Sequence, residues 1–173
     1  MSRRPLLPLS LVAALMGWPA PAPAAPTAPT ATAAVHGLLW ATVNVCDTRR
    51  APDTIGIRGS MPGSGTKRER MFMRFQVHFR DPADGAWKPI GRTGDSGWIR
   101  VGSGRFRSRQ SGRNFVVRPP AEGSFLLRGH VTYEWRRNGR VVRRATRRTE
   151  GNRPRTRGAD PPRYSAAVCE VRA

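Results

Sequence analysis

Two stretches of this chain repeat with a period of two. In MFMRFQVHF, Met71, Met73, Phe75, Val77 and Phe79 fall on one side, and Phe72, Arg74, Gln76 and His78 fall on the other. In FLLRGHVTYEW, Phe125, Leu127, Val131, Tyr133 and Trp135 point one way, and Arg128, His130, Thr132 and Glu134 point the other. Successive side chains of an extended chain face opposite sides, so each stretch reads as a strand with one face buried and one wet. Shorter pieces of the same kind are LLWATVNVC (38–46), TIGI (54–57), WIRV (98–101), NFVV (114–117) and YSAAVCEV (164–171), separated by Gly, Pro, Asp and Ser clusters such as GSMPGSG and GRTGDSG. No segment carries a helical stripe. Seven or eight short strands with turn chemistry between them predict an all-β chain, a single antiparallel β-sandwich, and not a parallel α/β fold.

The N-terminus is of another character. Arg3 and Arg4 precede an apolar stretch from Leu6 to Trp18, interrupted by Pro8, and then come the small residues Ala22-Pro23-Ala24. This is the three-part build of an export signal, so residues 1–24 are set apart from the fold, with cleavage expected between Ala24 and Ala25. The apolar stretch is shorter than the ~20 residues a membrane span needs. The opening SRRPLL also resembles a twin-arginine export signal, with the general secretory route as the alternative. Residues 25–34, APTAPTATAA, lack periodicity and read as an extended linker. Val35 to Ala173 is then one domain, long enough for a core that removes roughly two-thirds of the unfolded surface from water.

Only Cys46 and Cys169 remain for redox chemistry. In an oxidising compartment such a pair is expected as a disulfide that brings the first and last strands together; two buried free thiols are the alternative. Neither cysteine has a second ligand at metal-site spacing, and no cofactor is expected.

The passage GSFLLRGHVTYEWRRNGRVV resembles the late strand, tight turn and final hairpin of immunoglobulin-like and fibronectin-like sandwiches. The layout of 35–173 as a whole is similar to small exported immunoglobulin-like proteins of arginine-rich, high-GC bacteria. The resemblance implies a scaffold, and sandwich scaffolds host many unrelated roles. The chain departs from the antibody pattern, because Cys46 and Cys169 are too far apart for the usual mid-domain bridge and no tryptophan stands at the expected place between them.

Three stretches suggest chemistry. GDSG, Gly94 to Gly97, resembles the nucleophile motif of chymotrypsin-like proteases, with His36, His78, Asp81 and Asp84 upstream. Those enzymes need far more chain before the serine, and Trp98 stands where a glycine would help shape the oxyanion hole, so a simple turn is expected. GSMPGSGTK resembles a phosphate loop, but its lysine follows the threonine and a strand follows the loop; a hairpin loop is expected. His78 and His130 would share a metal only if their strands were neighbours, and solvated histidines are expected instead. No catalytic residue is assigned; a hydrolase ranks third among the readings.

Charge is the strongest signal left. Formal net charge is +20, falling to +18 without Arg3 and Arg4, and arginine supplies 29 of the 31 basic residues. Ten arginines lie from Arg136 to Arg157 against one acid, Glu150. Such a field attracts polyanions, although a solubilising surface and an arginine-rich base composition would look the same. Sequence-specific nucleic-acid reading is not expected, because neither a recognition helix nor aromatic residues interleaved with these arginines are present. The expected function is a non-catalytic binding or structural module of the cell envelope or extracellular space, partnered by an envelope protein or glycan. The alternative is a polyanion binder for wall teichoic acid, acidic polysaccharide or extracellular DNA.

The RNGR turn after Trp135 suits a three-residue loop with Gly139 left-handed, which sets Val141 across from Trp135 and Ala145 across from Val131 and turns Arg143 inward. A two-residue turn would instead bring Val142 and Arg144 inward. Either register aims arginines at the core side, which only an edge strand tolerates, so 141–149 is expected at a sheet edge. Arg144, Arg147, Arg148, Arg153, Arg155 and Arg157 are the expected anion-attracting rim.

Overall fold

The structure, a computed structural model, describes residues 37–119, 121–153 and 156–172. The expected export signal and linker, and Arg155, lie outside the described residues. The strands are β1 (Trp40–Thr48), β2 (Ala51–Pro62), β3 (Glu69–Arg80), β4 (Trp87–Pro89), β5 (Asp95–Ser103), β6 (Ser108–Val116), β7 (Ser124–Arg137), β8 (Arg140–Arg148) and β9 (Cys169–Arg172). They build two antiparallel sheets, a small one ordered β1-β2-β6 and a large one centred on β3 and β7. Strands β4 and β5 share the far side of β3, and β8 and β9 share the far side of β7. Among the described residues the sole helical piece is a 3-10 turn at Arg92–Gly94, and no helix is long and apolar enough to cross a membrane.

The core follows the two alternating stretches. Across β3 and β7, Met71 opposes Trp135, Met73 opposes Tyr133, and Phe75 opposes Val131, all fully or almost fully buried. Ile55, Ile57 and Met61 of β2 and Val43 of β1 close over them from the small sheet. Two large side chains also carry polar atoms across the core. The Tyr133 hydroxyl donates to the Trp40 carbonyl at 2.6 Å and the Trp135 indole N–H to the Pro62 carbonyl at 2.9 Å, so each ring adds buried apolar area and a satisfied hydrogen bond between the sheets. Gly59 makes the first of these fit: a Cβ there would stand 2.8 Å from the Tyr133 hydroxyl oxygen.

Three sequence expectations change in detail. The expected loop GSMPGSGTK is partly strand, with Gly59 to Pro62 extending β2 and Met61 fully buried. The expected strand 164–171 shrinks to Cys169–Arg172; the residues before it cross to the small sheet, where Ala166 exchanges hydrogen bonds with Val43 at 2.9 and 3.0 Å. Together with the Asp160 amide donating to Asn44 and the Thr48 hydroxyl donating to the Asp160 carboxylate at 2.7 Å, this segment covers the free edge of β1.

The third change is the hairpin. Asn138 (φ 50) and Gly139 (φ 79) are both left-handed and Arg137 pairs with Arg140, so the loop has two residues and not three. The register then jumps: Arg136 pairs with Val141 but Trp135 pairs with Arg143, leaving Val142 as the extra residue of a bulge. Beyond the bulge Ala145 opposes Tyr133, not Val131, and Arg143 faces inward as expected, its guanidinium 3.5 Å from the Trp135 ring centroid. Without the bulge Val142 would oppose Trp135 and Arg144 would turn to the core side; with it, Arg144 comes to lie across from Glu134. The strand lies at the edge of the large sheet.

Cys46 of β1 and Cys169 of β9 form a disulfide, with Cα atoms 5.4 Å apart, that joins the two sheets. It closes a loop of 123 residues, for which the chain-entropy estimate is ~4–5 kcal/mol. Replacing both cysteines with serine is expected to lower the melting temperature by roughly 10 °C or more. A double variant melting within about 2 °C of the parent in a calorimeter would contradict this.

Candidate anion-binding face

The outward positions of the large sheet do not form a random polar surface. Apart from the Glu170–Arg172 pair on β9 and the exposed Arg70 and Arg100, they gather in two clusters that contain an acid and one that contains none. In the first, the carboxylate of Glu134, almost fully buried, accepts from Arg136 Nε at 2.7 Å through one oxygen and from Arg144 Nε at 2.8 Å through the other. The Arg136 guanidinium also lies between two rings, 4.3 Å from the Phe72 centroid and 4.9 Å from that of Trp98. Burial alone would raise the Glu134 pKa, but the bonds and charges of Arg136 and Arg144 outweigh it and hold the carboxyl below its ordinary value.

In the second, Asp95 at the start of β5 accepts from Arg74 Nε at 2.9 Å and from Gln76 Nε2 at 3.0 Å, and its pKa is lowered chiefly by the Arg74 bond. Ser96 is built into the same corner. Its hydroxyl oxygen accepts the Phe75 amide at 2.9 Å and its hydrogen goes to the Gly97 carbonyl at 2.8 Å, which ties the irregular start of β5 to β3. From the turn between β3 and β4, Asp81 and Asp84 hold Lys88 of β4, and His36 lies outside the described residues.

The third cluster combines Arg128 and His130 of β7 with His78 of β3, Trp87 of β4 and Arg148 of β8. Strands β3 and β7 are neighbours, and the two imidazoles stack with centroids 4.0 Å apart and planes 16° from parallel. Arg128 lies over the Trp87 ring at 4.2 Å, and Arg148 pairs in register with His130. The expectation of solvated histidines is overturned: both are half-buried, and His78 Nδ1 and His130 Nε2 are buried without a hydrogen-bond partner. Stacked rings present their faces to each other, so their lone pairs do not converge on one point, and no set of three metal-ligating groups occurs among the described residues.

Neither Arg128 nor Arg148 forms an ion pair with any described residue. Burial and the Arg148 charge lower the Arg128 pKa, and burial, His78, Arg128 and Arg148 together push His130 from 6.5 to about 4. The cluster is therefore a place where positive charge accumulates, desolvated in part, with no carboxylate to balance it.

The five described arginines of the expected rim are dispersed. Arg144 is engaged with Glu134, and Arg148 belongs to the acid-free cluster. Arg147, one residue earlier on the same strand, faces the opposite side and donates to the Thr146 carbonyl. Arg153 pairs with Glu150 at 3.1 Å and reaches toward the Trp40 ring, while Arg157 lies on the small sheet near Arg58. Period-two geometry sends adjacent arginines of a strand to opposite faces, so a run in sequence cannot be one patch in space. The other members of the acid-free cluster, Arg128, His78, His130 and Trp87, come from three other strands; the only sequence signal of the first three was an outward position in the alternation. No protein-family profile and no curated protein matches the sequence.

The His130 shift has a measurable consequence. Its folded pKa lies below the unfolded value, so the unfolded chain binds the proton first, and stability present above pH 6.5 is lost as pH falls toward about 4. Discounted for the half-exposed position, this is on the order of 1–2 kcal/mol. His130→Gln is expected to flatten the fall in melting temperature through that window, and a variant that loses stability in parallel with the parent would contradict the shift.

Proposed function

We propose that this chain is an exported, non-catalytic, immunoglobulin-like binding module of the bacterial cell envelope or extracellular space, and that it holds polyanions on the outer face of its large sheet. One observation carries the reading: Arg128 and Arg148 stand together, beside two neutral histidines, without a carboxylate. Arg128 is partly desolvated and its Nε has no partner, which costs free energy that a polyanion's sulfate, phosphate or carboxylate groups would offset. The surrounding Arg74, Arg136 and Arg144 are held by Asp95 and Glu134, which keeps their guanidinium planes in place and takes them out of the free positive charge of the face. The sheet offers no helix to enter a groove, so recognition of this kind reads charge spacing and not base sequence. An export-type N-terminus and a disulfide suit an oxidising compartment, where wall teichoic acid, acidic polysaccharide and extracellular DNA are the available polyanions.

The test is the salt dependence of heparin and duplex DNA binding. Replacing Arg128 and Arg148 with glutamine is expected to reduce the slope of log affinity against log salt by about one to two. The same charge change at Arg49 and Arg50, exposed in the turn between β1 and β2, is expected to cost clearly less. Equal losses from the two pairs would leave the positive charge as a solubilising surface, and binding that persists undiminished in high salt would point to a neutral envelope partner instead.

A further inference from the structure

The opposite side of the molecule carries a second and different feature. On the outer face of the small sheet, Arg58 of β2 pairs in register with Gly112 of β6, and Gly56 pairs with Asn114. A Cβ at Gly112 would stand 2.9 Å from Arg58 Cδ and 2.8 Å from the Ile57 carbonyl oxygen; one at Gly56 would stand 2.8 Å from Asn114 Oδ1 and 2.9 Å from Asn44 Oδ1. The two glycines thus form a bare floor on which the Arg58 side chain lies across β6 and two carboxamides converge. The far wall is the turn at Arg157 and Gly158, where Asn44 Nδ2 donates to the Gly158 carbonyl at 2.7 Å. That bond sets Arg157 at the rim and leaves Asn44 Oδ1 as an acceptor toward the floor.

The groove has a volume of about 440 Å³ where Asn44, Arg58, Gly112, Asn114 and Gly158 line it, within the range of small-ligand sites, and Arg58 also borders a neighbouring cavity of about 280 Å³ lined by Gln110 and Arg157. No carboxylate lines it among the described residues. Arg58 Nε is buried and has no hydrogen-bond partner, and burial together with the neighbouring charge of Arg157 lowers the Arg58 pKa. Two guanidinium groups converging on a floor of glycine backbone, with acceptor and donor carboxamides beside them, is the chemistry of a compact ligand that is both anionic and hydroxylated.

We propose that this groove binds one acidic saccharide unit. Arg58 and Arg157 take the oxygens of its sulfate, phosphate or carboxylate group, and Asn44, Asn114 and Gln110 take its hydroxyls. The site is independent of the polyanion face on the large sheet. It differs in kind as well, because it reads one sugar by shape and hydrogen bonds where that face gathers many charges.

Nuclear magnetic resonance titration of the 15N-labelled chain in about 0.15 M chloride separates the possibilities. The probes are galacturonic acid, galactose 6-sulfate, neutral galactose and inorganic sulfate. Both acidic sugars are expected to give saturable shifts at Gly56, Arg58, Gly112, Asn114 and Gly158, with affinity at least about tenfold above that of galactose or of sulfate alone. Arg58→Gln is expected to weaken them about tenfold, and Asn114→Leu, at an exposed edge position, gives a second reading should the first variant fold poorly. Arg128→Gln with Arg148→Gln should leave this binding unchanged even if heparin binding falls. The proposal is overturned by the absence of saturable shifts below about 10 mM, by sulfate binding as tightly as the sugars, by affinity that survives both groove variants, or by sensitivity to the pair on the other sheet.

Discussion

Eleven consecutive residue pairs between β3 and β7, from Glu69 opposite Arg137 to Phe79 opposite Leu127, organise everything else in the molecule. A slip of one residue in that ladder would exchange its two faces. In the register observed, every inner position from Met71 to Val77 is buried, and Tyr133 and Trp135 reach the backbone of the small sheet with their polar atoms. The same register brings His78 against His130 and Phe72 against Arg136 on the outside. The core and the candidate binding face are two sides of one pairing.

Charge is distributed over that frame unevenly. Eleven acids cannot pair with 31 bases, and on the outer face of the large sheet Asp95 holds Arg74, Glu134 holds Arg136 and Arg144, and Glu170 holds Arg172. Rings hold arginines as well: Arg128 over Trp87, Arg136 between Phe72 and Trp98, Arg143 over Trp135. Each of these uses the planar guanidinium, which stacks on a ring while its edges stay free to donate, and lysine would not replace it there. Arg128 with Arg148 on one sheet, and Arg58 with Arg157 beside the other, are arginines that come close to one another with no acid between them.

Much of the sandwich was legible because alternation reports burial directly. Phe75, Val131 and their neighbours could be assigned to the core from period two alone, and Cys46 and Cys169 could be paired because no other cysteine exists. The hairpin was legible only in part. Asn138-Gly139 marks a turn, but the bulge at Val142, which puts Arg144 across from Glu134 and Arg143 over Trp135, belongs to the fit of two strands and no local pattern encodes it. The same limit hid the candidate sites. The run from Arg136 to Arg157 drew attention by its density, yet Arg147 and Arg148 face opposite ways, and the cations that gather without acids come from β2, β7, β8 and the turn before β9. The glycines that floor the groove, Gly56 and Gly112, read in sequence as interruptions of strands.

The most direct test of the central claim is where a polyanion touches the protein. Chemical-shift mapping with a short heparin oligosaccharide should move Arg128, His130, Arg148 and His78 first and most, with smaller changes at Thr132 and Thr146 on the same face. Shifts spread evenly over exposed arginines such as Arg49, Arg113 and Arg140, with no maximum on the outer face of the large sheet, would contradict it.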